Sequence, residues 1–190
     1  MDNNIITIVS GLPRSGTSMM MRMIEAGGIP ALIDEIRKAD EDNPRGYYEF
    51  EPVKKTQEDP SWLESAGGKV VKMVHLLLKD LPLNHEYRVI FMRRKLEEII
   101  SSQDVMLERR GRKRNDLTNE QLIKGFNVQI EEIDSYVSSK PNFKMIHADY
   151  NDILKDPAPW IEKINEFLGG NLDIDAMSKV VEPALYRQRR

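Results

Sequence analysis

A strand, a glycine-containing loop and a helix follow one another near the start of the chain, and this order constrains the fold most strongly. Ile5–Val9 is a short β-branched run, which predicts a buried strand. The segment Gly11–Ser18 follows it and begins with a turn-rich loop. The helical pattern that comes next places Met20, Met23 and Ile24 on one face. A unit of this kind opens a parallel α/β domain.

Further apolar runs continue the same alternation of strands and helices. Strands are predicted at 69–74, 88–92 and 143–147, and residues 47–50 are expected to form a short strand or an extended segment. Helices are predicted at about 96–110, 117–138, 157–168 and 174–181, the second capped by Asp116 or Thr118. We therefore expect one three-layer α/β domain over residues 1–190, with a central, mostly parallel sheet flanked by helices.

Composition excludes several classes of function. The chain has 190 residues and no cysteine, which excludes disulfides, thiolate metal sites and a cysteine nucleophile. Its formal net charge is -3, so we expect no nucleic-acid partner, and any anion site must be local. Met1–Asn4 contains no basic residue, and no run approaches the roughly 20 apolar residues of a membrane span. We expect a cytoplasmic protein.

The loop Gly11–Ser18 has the spacing of a phosphate-binding loop (P-loop). Backbone N–H groups in such a loop point at an anion, and the helix that follows adds a favourable dipole. A Walker A loop has a lysine directly after its second glycine, whereas this chain has Thr17 there. The nearest cation is Arg14, and the strand at 88–92 ends in two arginines where an ATPase presents an aspartate. Asp149 is the one candidate for a metal carboxylate, so we expect no metal.

Several motifs along the chain resemble those of the sulfotransferases that use 3′-phosphoadenosine-5′-phosphosulfate (PAPS). Pro13–Ser18 resembles their 5′-phosphosulfate loop, P-(K/R)-S-G-T-(T/S). Arg94 and Ser102 are similar to the arginine and serine, eight residues apart, that hold the 3′-phosphate in this family. Arg93 and Ser101 have the same spacing, so either pair fits the motif.

The resemblance extends along most of the chain. Asp149–Leu154, followed by Asp156 and Pro157, is similar to the Y-E-D-L…P element, whose tyrosine, here Tyr150, usually lies by the nucleotide base. Asn43–Glu49 is similar to a segment of a bacterial branch of small sulfotransferase-like proteins. The chain is thus identified as a member of the PAPS-dependent sulfotransferase family, which implies a P-loop fold.

Membership implies a reaction and a set of donor-binding residues. A sulfuryl group would pass from PAPS to a hydroxyl or amine by in-line displacement, and 3′,5′-ADP would leave. A sulfuryl group carries one charge fewer than a phosphoryl group, so arginine and backbone donors suffice without metal. The residues that the resemblance assigns to the donor are Arg14, Ser15, Gly16, Thr17, Ser18, Arg94, Ser102 and Tyr150, and Arg14 would also stabilise charge during transfer.

The general base that the acceptor needs has several candidates. Many cytosolic sulfotransferases have K-x-H after a strand, and this chain has His75 one residue later than that pattern. On a strand the extra residue would move the side chain to the opposite face. Glu35 lies near where a carboxylate base occurs in the tyrosylprotein branch, and Asp34 and Glu49 are rivals. We rank Glu35 and His75 as equal candidates.

The sequence is also compatible with other functions. A small P-loop nucleotide or metabolite kinase, or a nucleotide-binding protein without catalysis, would also explain the loop. The basic stretch Arg109–Arg114 is either a solvated turn or a cover over an anionic substrate. The acceptor, whether a small molecule, glycan, lipid, phenol or peptide, is not encoded in any of these motifs, and neither is the oligomeric state.

Overall fold

The computed structural model describes residues 5–34, 36–114 and 116–181. Four strands form one sheet, in the order β2–β1–β3–β4, and every pair is parallel. They are β1 Ile5–Gly11, β2 Val70–Lys72, β3 Glu86–Arg93 and β4 Phe143–Asp149. The predicted central parallel sheet is therefore confirmed. That residues 1–190 form a single domain stays a prediction.

Six α-helices connect and cover the strands in the described part of the chain. They are α1 Thr17–Ala26, α2 Leu96–Arg109, α3 Asn119–Ser138, α4 Tyr150–Lys155, α5 Pro157–Leu168 and α6 Ile174–Lys179. Three 3₁₀ helices lie at Glu51–Lys55, Ser61–Ser65 and His75–Asp80. Among these helices, none is long and apolar enough to cross a membrane.

Alternate residues of each strand face opposite sides of the sheet, and both sides are buried. Ile6 and Ile8 pack on one side with α2, α3 and the 3₁₀ helices. Val9 packs on the other side, against α1, α5 and α6. A parallel sheet covered by helices on both faces explains why its strands read as continuous apolar runs.

Two predicted elements differ from the structure in extent. Strand β2 ends at Lys72, earlier than expected, because the chain turns into the 3₁₀ helix that begins at His75. Residues 47–50, expected as a short strand or an extended segment, form no strand. The helix α4 was not predicted, although its signal is in the sequence. The Asp149 carboxylate caps it by accepting the N–H groups of Asn151 and Asp152, at 2.9 and 3.1 Å.

The cap of α3 is Thr118 rather than Asp116. The Thr118 hydroxyl accepts the N–H of Gln121 at 3.2 Å, and the Gln121 side chain accepts the N–H of Thr118 at 2.8 Å. This reciprocal pair satisfies two N–H groups that a helix start otherwise leaves without partners.

The carboxyl ends of the four strands lie at one edge of the sheet. The phosphate-binding loop leaves β1 at this edge, with β2 and β3 on either side of it. Crevices at this edge are where open α/β sheets bind their ligands. The fold thus brings the loop, the end of β2 and the start of α2 around one site.

Candidate functional site

A cavity of about 300 Å³ opens at the carboxyl edge of the sheet. The loop after β1, the segment 41–49, the end of β2 and Tyr150 contribute to its wall. One face of α2 completes the wall with Ser102, Val105, Met106 and Arg109. The cavity therefore contains most of the donor-binding residues that the resemblance assigns.

The loop backbone is shaped to present N–H groups. Gly16 caps α1 in the left-handed region with φ of 99°, and Arg14 also has a positive φ, 77°. The N–H groups of Thr17 and Ser18 have no acceptor within the described segments, and the first turn of α1 carries no acidic residue. The Ser15 hydroxyl is buried and has no partner among the residues described. This set of donors, at the positive end of a helix, fits a phosphate or sulfuryl oxygen.

Arg14 joins the loop to α2. Its Nε donates to the Ser102 hydroxyl at 2.9 Å, and its Nη2 donates to the carbonyl oxygen of Asp42 at 3.0 Å. Burial lowers the pKa of the Arg14 guanidinium and nearby Asp42 opposes this, but arginine stays charged at any physiological pH. A positive charge is therefore held in the cavity wall beside the loop.

Arg94, directly after β3, contacts the backbone of the loop. Its Nη1 donates to the carbonyl oxygen of Arg14 at 3.0 Å, and its Nε pairs with Glu98 at 2.9 Å. The guanidinium carbon lies 4.7 Å from the centre of the Tyr150 ring, a cation–π distance. Burial raises the pKa of the Tyr150 hydroxyl, so that group stays protonated at neutral pH.

The two candidate pairs for the 3′-phosphate motif occupy different places. Arg94 and Ser102 both line the cavity, and Arg14 contacts each of them. Arg93 instead extends toward α3, where its Nη1 lies 3.8 Å from Asp134. In both pairs the arginine and the serine are eight residues apart, so the sequence alone could not distinguish them. The geometry favours Arg94 and Ser102.

Lys72 is a cavity residue that sequence reasoning did not select. Its Nζ donates to the carbonyl oxygen of Tyr47, lies 3.4 Å from the Ser18 hydroxyl and lies 4.0 Å from Glu49 Oε1. Burial lowers the pKa of the Lys72 amine to about 8, although Glu49 acts in the opposite direction. The sequence did contain one signal for Lys72, since it is a lysine inside an otherwise apolar strand. Burial of its charge is unfavourable unless partners or a ligand compensate it.

The base candidates are dispersed. The His75 ring is buried and is not among the described residues that line the cavity; its Nε2 is 3.0 Å from Gln129 of α3, and burial lowers its pKa. The Asp34 carboxylate accepts the N–H groups of Ile36 and Glu51. Glu49 lines the cavity and pairs with Arg37 at 2.6 Å. Glu35 lies outside the described residues.

The segment 40–47 covers one side of the cavity. Besides the carbonyl of Asp42, it provides the Asn43 side chain, which donates to the Ser18 hydroxyl at 2.9 Å. The Asp42 carboxylate pairs with Arg109 at 2.7 Å, so Arg109 of the predicted basic stretch closes this side of the site. The segment therefore contacts the phosphate-binding loop at Arg14, in its middle, and at Ser18, at its end.

Metal ligands do not gather at this site. In residues 5–34, 36–114 and 116–181, no three His, Cys, Asp or Glu side chains are placed to hold a metal ion. Asp149, the one carboxylate that the sequence offered for a metal, caps α4 instead.

The family model described as "Sulfotransferase domain" matches residues 5–190, nearly the whole chain. The protein belongs to the sulfotransferase domain family. This finding confirms the family that the loop and the two later motifs indicated. A search of curated protein sequences gave no significant match.

Solved structures of sulfotransferases share the fold of this family member. The sulfotransferase domain of the Synechococcus PCC 7002 olefin synthase has a TM-score of 0.59 at 14% identity, and the match covers 97% of this chain and 86% of that one. The sulfotransferase STF1 of Mycobacterium tuberculosis gives 0.56 at 14%, covering 96% and 73%. Mouse sulfotransferase SULT7A1, complexed with PAP, gives 0.50 at 17%, covering 95% and 63%. At these identities the similarity establishes the P-loop fold alone.

Replacing Gly16 by alanine is expected to disrupt the loop. A Cβ there would lie 2.3 Å from Cδ2 of Tyr150, in addition to the strain of a φ of 99°. We expect Gly16→Ala to lower the free energy of unfolding by roughly 3 kcal/mol, of which about 1–2 is strain. Gly28→Ala is the matched control, since Gly28 has a φ of 107° and nothing within 4 Å of its Cβ position. Equal losses in chemical denaturation of the two variants would contradict the close packing of Gly16 on Tyr150.

Lys72 is expected to react with amine reagents at a lower pH than other lysines. An amine is nucleophilic only when deprotonated, so its labelling should rise with pH to half its maximum near 8, the pKa that burial gives it. Exposed lysines should reach half-maximum near their ordinary value of about 10.4. Pulse labelling at graded pH, read residue by residue by mass spectrometry, measures both. A Lys72 profile that coincides with that of a lysine in a short unstructured peptide would show that the cavity does not shift the pKa.

Proposed function

We propose that this sulfotransferase transfers a sulfuryl group from PAPS to a hydroxyl or amine of its acceptor. The observation that carries the proposal is the meeting of Arg14, Arg94 and Ser102 beside the phosphate-binding loop. A P-loop alone serves many nucleotides. A second anion-binding group next to it supports a donor with a further phosphate, and PAPS has one at its 3′ position.

The residues present fit such a donor. The N–H groups of Thr17 and Ser18, with Arg14, would hold the 5′-phosphosulfate. Arg94 and Ser102 would hold the 3′-phosphate, since the planar guanidinium can donate two parallel bonds to it. The donor would supply the sulfuryl group, and 3′,5′-ADP would be its leaving group.

Charge in the cavity is suited to sulfuryl transfer. Arg14 and Lys72 would neutralise the charge that develops on the bridging oxygen and on the sulfuryl oxygens. The acceptor oxygen forms a bond to sulfur while the bond from sulfur to the phosphate oxygen breaks. A singly charged sulfuryl group needs less compensation than a phosphoryl group, which supports chemistry carried by cations and amides.

Glu49 is the base candidate that the geometry favours. It lines the cavity, and one of its oxygens lies 4.0 Å from Lys72 Nζ, so it is close to the group that would contact the transferring sulfuryl oxygens. In this role its carboxylate accepts the proton from the acceptor hydroxyl as the new bond forms. Neither His75 nor Asp34 is among the described residues that line the cavity.

The test of the donor is thermal unfolding with ligands. Excess 3′,5′-ADP at a hundred times its dissociation constant should add about 2.7 kcal/mol, a shift of several degrees. ADP should stabilise less, and ATP with magnesium should give no larger effect than ADP. Stabilisation by magnesium-ATP alone would contradict the proposal and would indicate a kinase. No stabilisation by any nucleotide would contradict donor binding altogether.

Matched variants locate the 3′-phosphate group. Arg94→Ala and Ser102→Ala should each reduce the shift caused by 3′,5′-ADP. Arg93→Ala and Ser101→Ala, which change the same residue types one position earlier, should leave it nearly unchanged. The reverse pattern would assign the phosphate to the other pair.

The base is tested with water as the acceptor. PAPS labelled in its sulfuryl group should be hydrolysed slowly by the protein, and Glu49→Gln should lower that rate by about 100-fold or more. Binding of 3′,5′-ADP by the same variant should be unchanged, because Glu49 would contact the acceptor and not the nucleotide. His75→Gln should retain the rate. A loss in His75→Gln with none in Glu49→Gln would move the base to His75.

A further inference from the structure

Glu98 is a buried carboxylate that the proposed reaction does not use. It is fully buried, with 0% of its surface exposed. An ionised carboxylate in such a place is strongly unfavourable unless hydrogen bonds and an opposite charge compensate it. The partners of Glu98 therefore indicate why it is there.

Two side chains and a helix end compensate the Glu98 charge. Arg94 Nε donates to Oε2 at 2.9 Å, and Asn151 Nδ2 lies 3.0 and 3.1 Å from the two carboxylate oxygens. Glu98 also lies in the first turn of α2, where the helix dipole favours a negative charge. The carboxylate is thus held between Arg94, two residues before α2, and Asn151, the second residue of α4.

The orientation of Asn151 is itself fixed. Its Oδ1 accepts the backbone N–H of Lys95 at 3.4 Å, while its Nδ2 faces Glu98. The amide therefore turns its donor, and not its acceptor, toward the carboxylate. A second carboxylate at this position would place like charges about 3 Å apart, which is strongly unfavourable.

Three contacts in different directions restrain the Arg94 guanidinium. Glu98 holds Nε, the carbonyl oxygen of Arg14 holds Nη1, and the Tyr150 ring lies against its face. Only 8% of the Arg94 side chain is exposed. A planar fork fixed in this way binds an anion without losing rotamer entropy at that moment.

We propose that Glu98 and Asn151 are positioning residues that aim Arg94 at the 3′-phosphate and thereby set the preference for a 3′-phosphorylated nucleotide. This inference rests on the proposed function. A role in stability alone is the weaker explanation, because a buried ion pair often adds little to stability over apolar residues of similar volume. The buried Glu98 carboxylate would instead contribute to nucleotide recognition, by holding Arg94 in the orientation that binds the phosphate.

The test compares two nucleotides that differ only in the 3′-phosphate. Affinities for 3′,5′-ADP and for AMP are measured by calorimetry on the full chain, in the wild type, Glu98→Gln and Asn151→Ala. At metal sites, removal of an outer-shell partner typically weakens binding by about 10–100-fold, and we expect a loss of similar size at this anion site. We expect Glu98→Gln to lose affinity for 3′,5′-ADP in that range and Asn151→Ala to lose less. AMP affinity should stay within about twofold in both variants.

A double variant tests whether Glu98 acts through Arg94. Arg94→Ala/Glu98→Gln should bind 3′,5′-ADP no more weakly than Arg94→Ala alone, because the carboxylate has nothing left to position. Additive losses would overturn the inference. Equal losses for AMP and 3′,5′-ADP would also overturn it, since they would indicate a general effect on the fold.

Two controls keep the test interpretable. Asn151→Ala retains the ion pair, so it carries the comparison if Glu98→Gln does not fold. Wild-type protein that binds AMP as tightly as 3′,5′-ADP would show that the proposed function itself fails. Wild-type preference for 3′,5′-ADP that survives both substitutions would overturn only the role of Glu98 and Asn151.

Discussion

The buried ion pair between Arg94 and Glu98 is the interaction on which the arrangement of the site depends. It links the end of β3 to the first turn of α2, and through Arg94 it reaches the phosphate-binding loop at the carbonyl of Arg14. Through Asn151 and Tyr150 it also reaches α4. Three connections that leave different strands are therefore fixed to one another by a single pair of charges.

The proposed anion site lies in a chain of net negative charge, so its positive charge must be local. The formal net charge is -3, so no long-range field of the whole protein favours an anionic ligand. Burial of Arg14, Arg94 and Lys72 beside the loop concentrates positive charge where little water screens it. Local placement of a few cations thus replaces a basic surface.

Much of the fold could be predicted because it depends on local pattern. Ile5–Val9 alternates between two buried faces and reads as a continuous apolar strand, and the loop after it carries glycines that its backbone requires. The sequence left Asp116 and Thr118 as caps of α3, and the capping-box spacing of Thr118 and Gln121 was the local signal that distinguishes them. These features need only neighbours in the sequence, so a single sequence contains them.

The rest depends on which way side chains point after distant segments meet. Lys72 and His75 lie three residues apart, yet one lines the cavity and the other packs on α3, because β2 ends between them. Arg93 and Arg94 have the same spacing motif, and only tertiary contacts separate them. The burial of Glu98 could not be predicted from the sequence, because glutamate is common in the first turn of a helix.

The hydrogen-bond donors of the cavity contact backbone carbonyls, which an anionic ligand would replace on binding. Arg14 Nη2 and Lys72 Nζ both donate to backbone carbonyls, those of Asp42 and Tyr47, while the Asp42 carboxylate is turned away toward Arg109. Hydrogen bonds to an ionised acceptor are roughly twice as strong as those between neutral groups. Exchange of a carbonyl for a phosphate or sulfuryl oxygen therefore strengthens each bond, whereas exchange of a carboxylate would bring little gain. The Asp42 carboxylate pairs with Arg109 and accepts no hydrogen bond from Arg14, although its charge still acts on Arg14. An anionic ligand would therefore replace a neutral carbonyl, and not a carboxylate, at Arg14 Nη2.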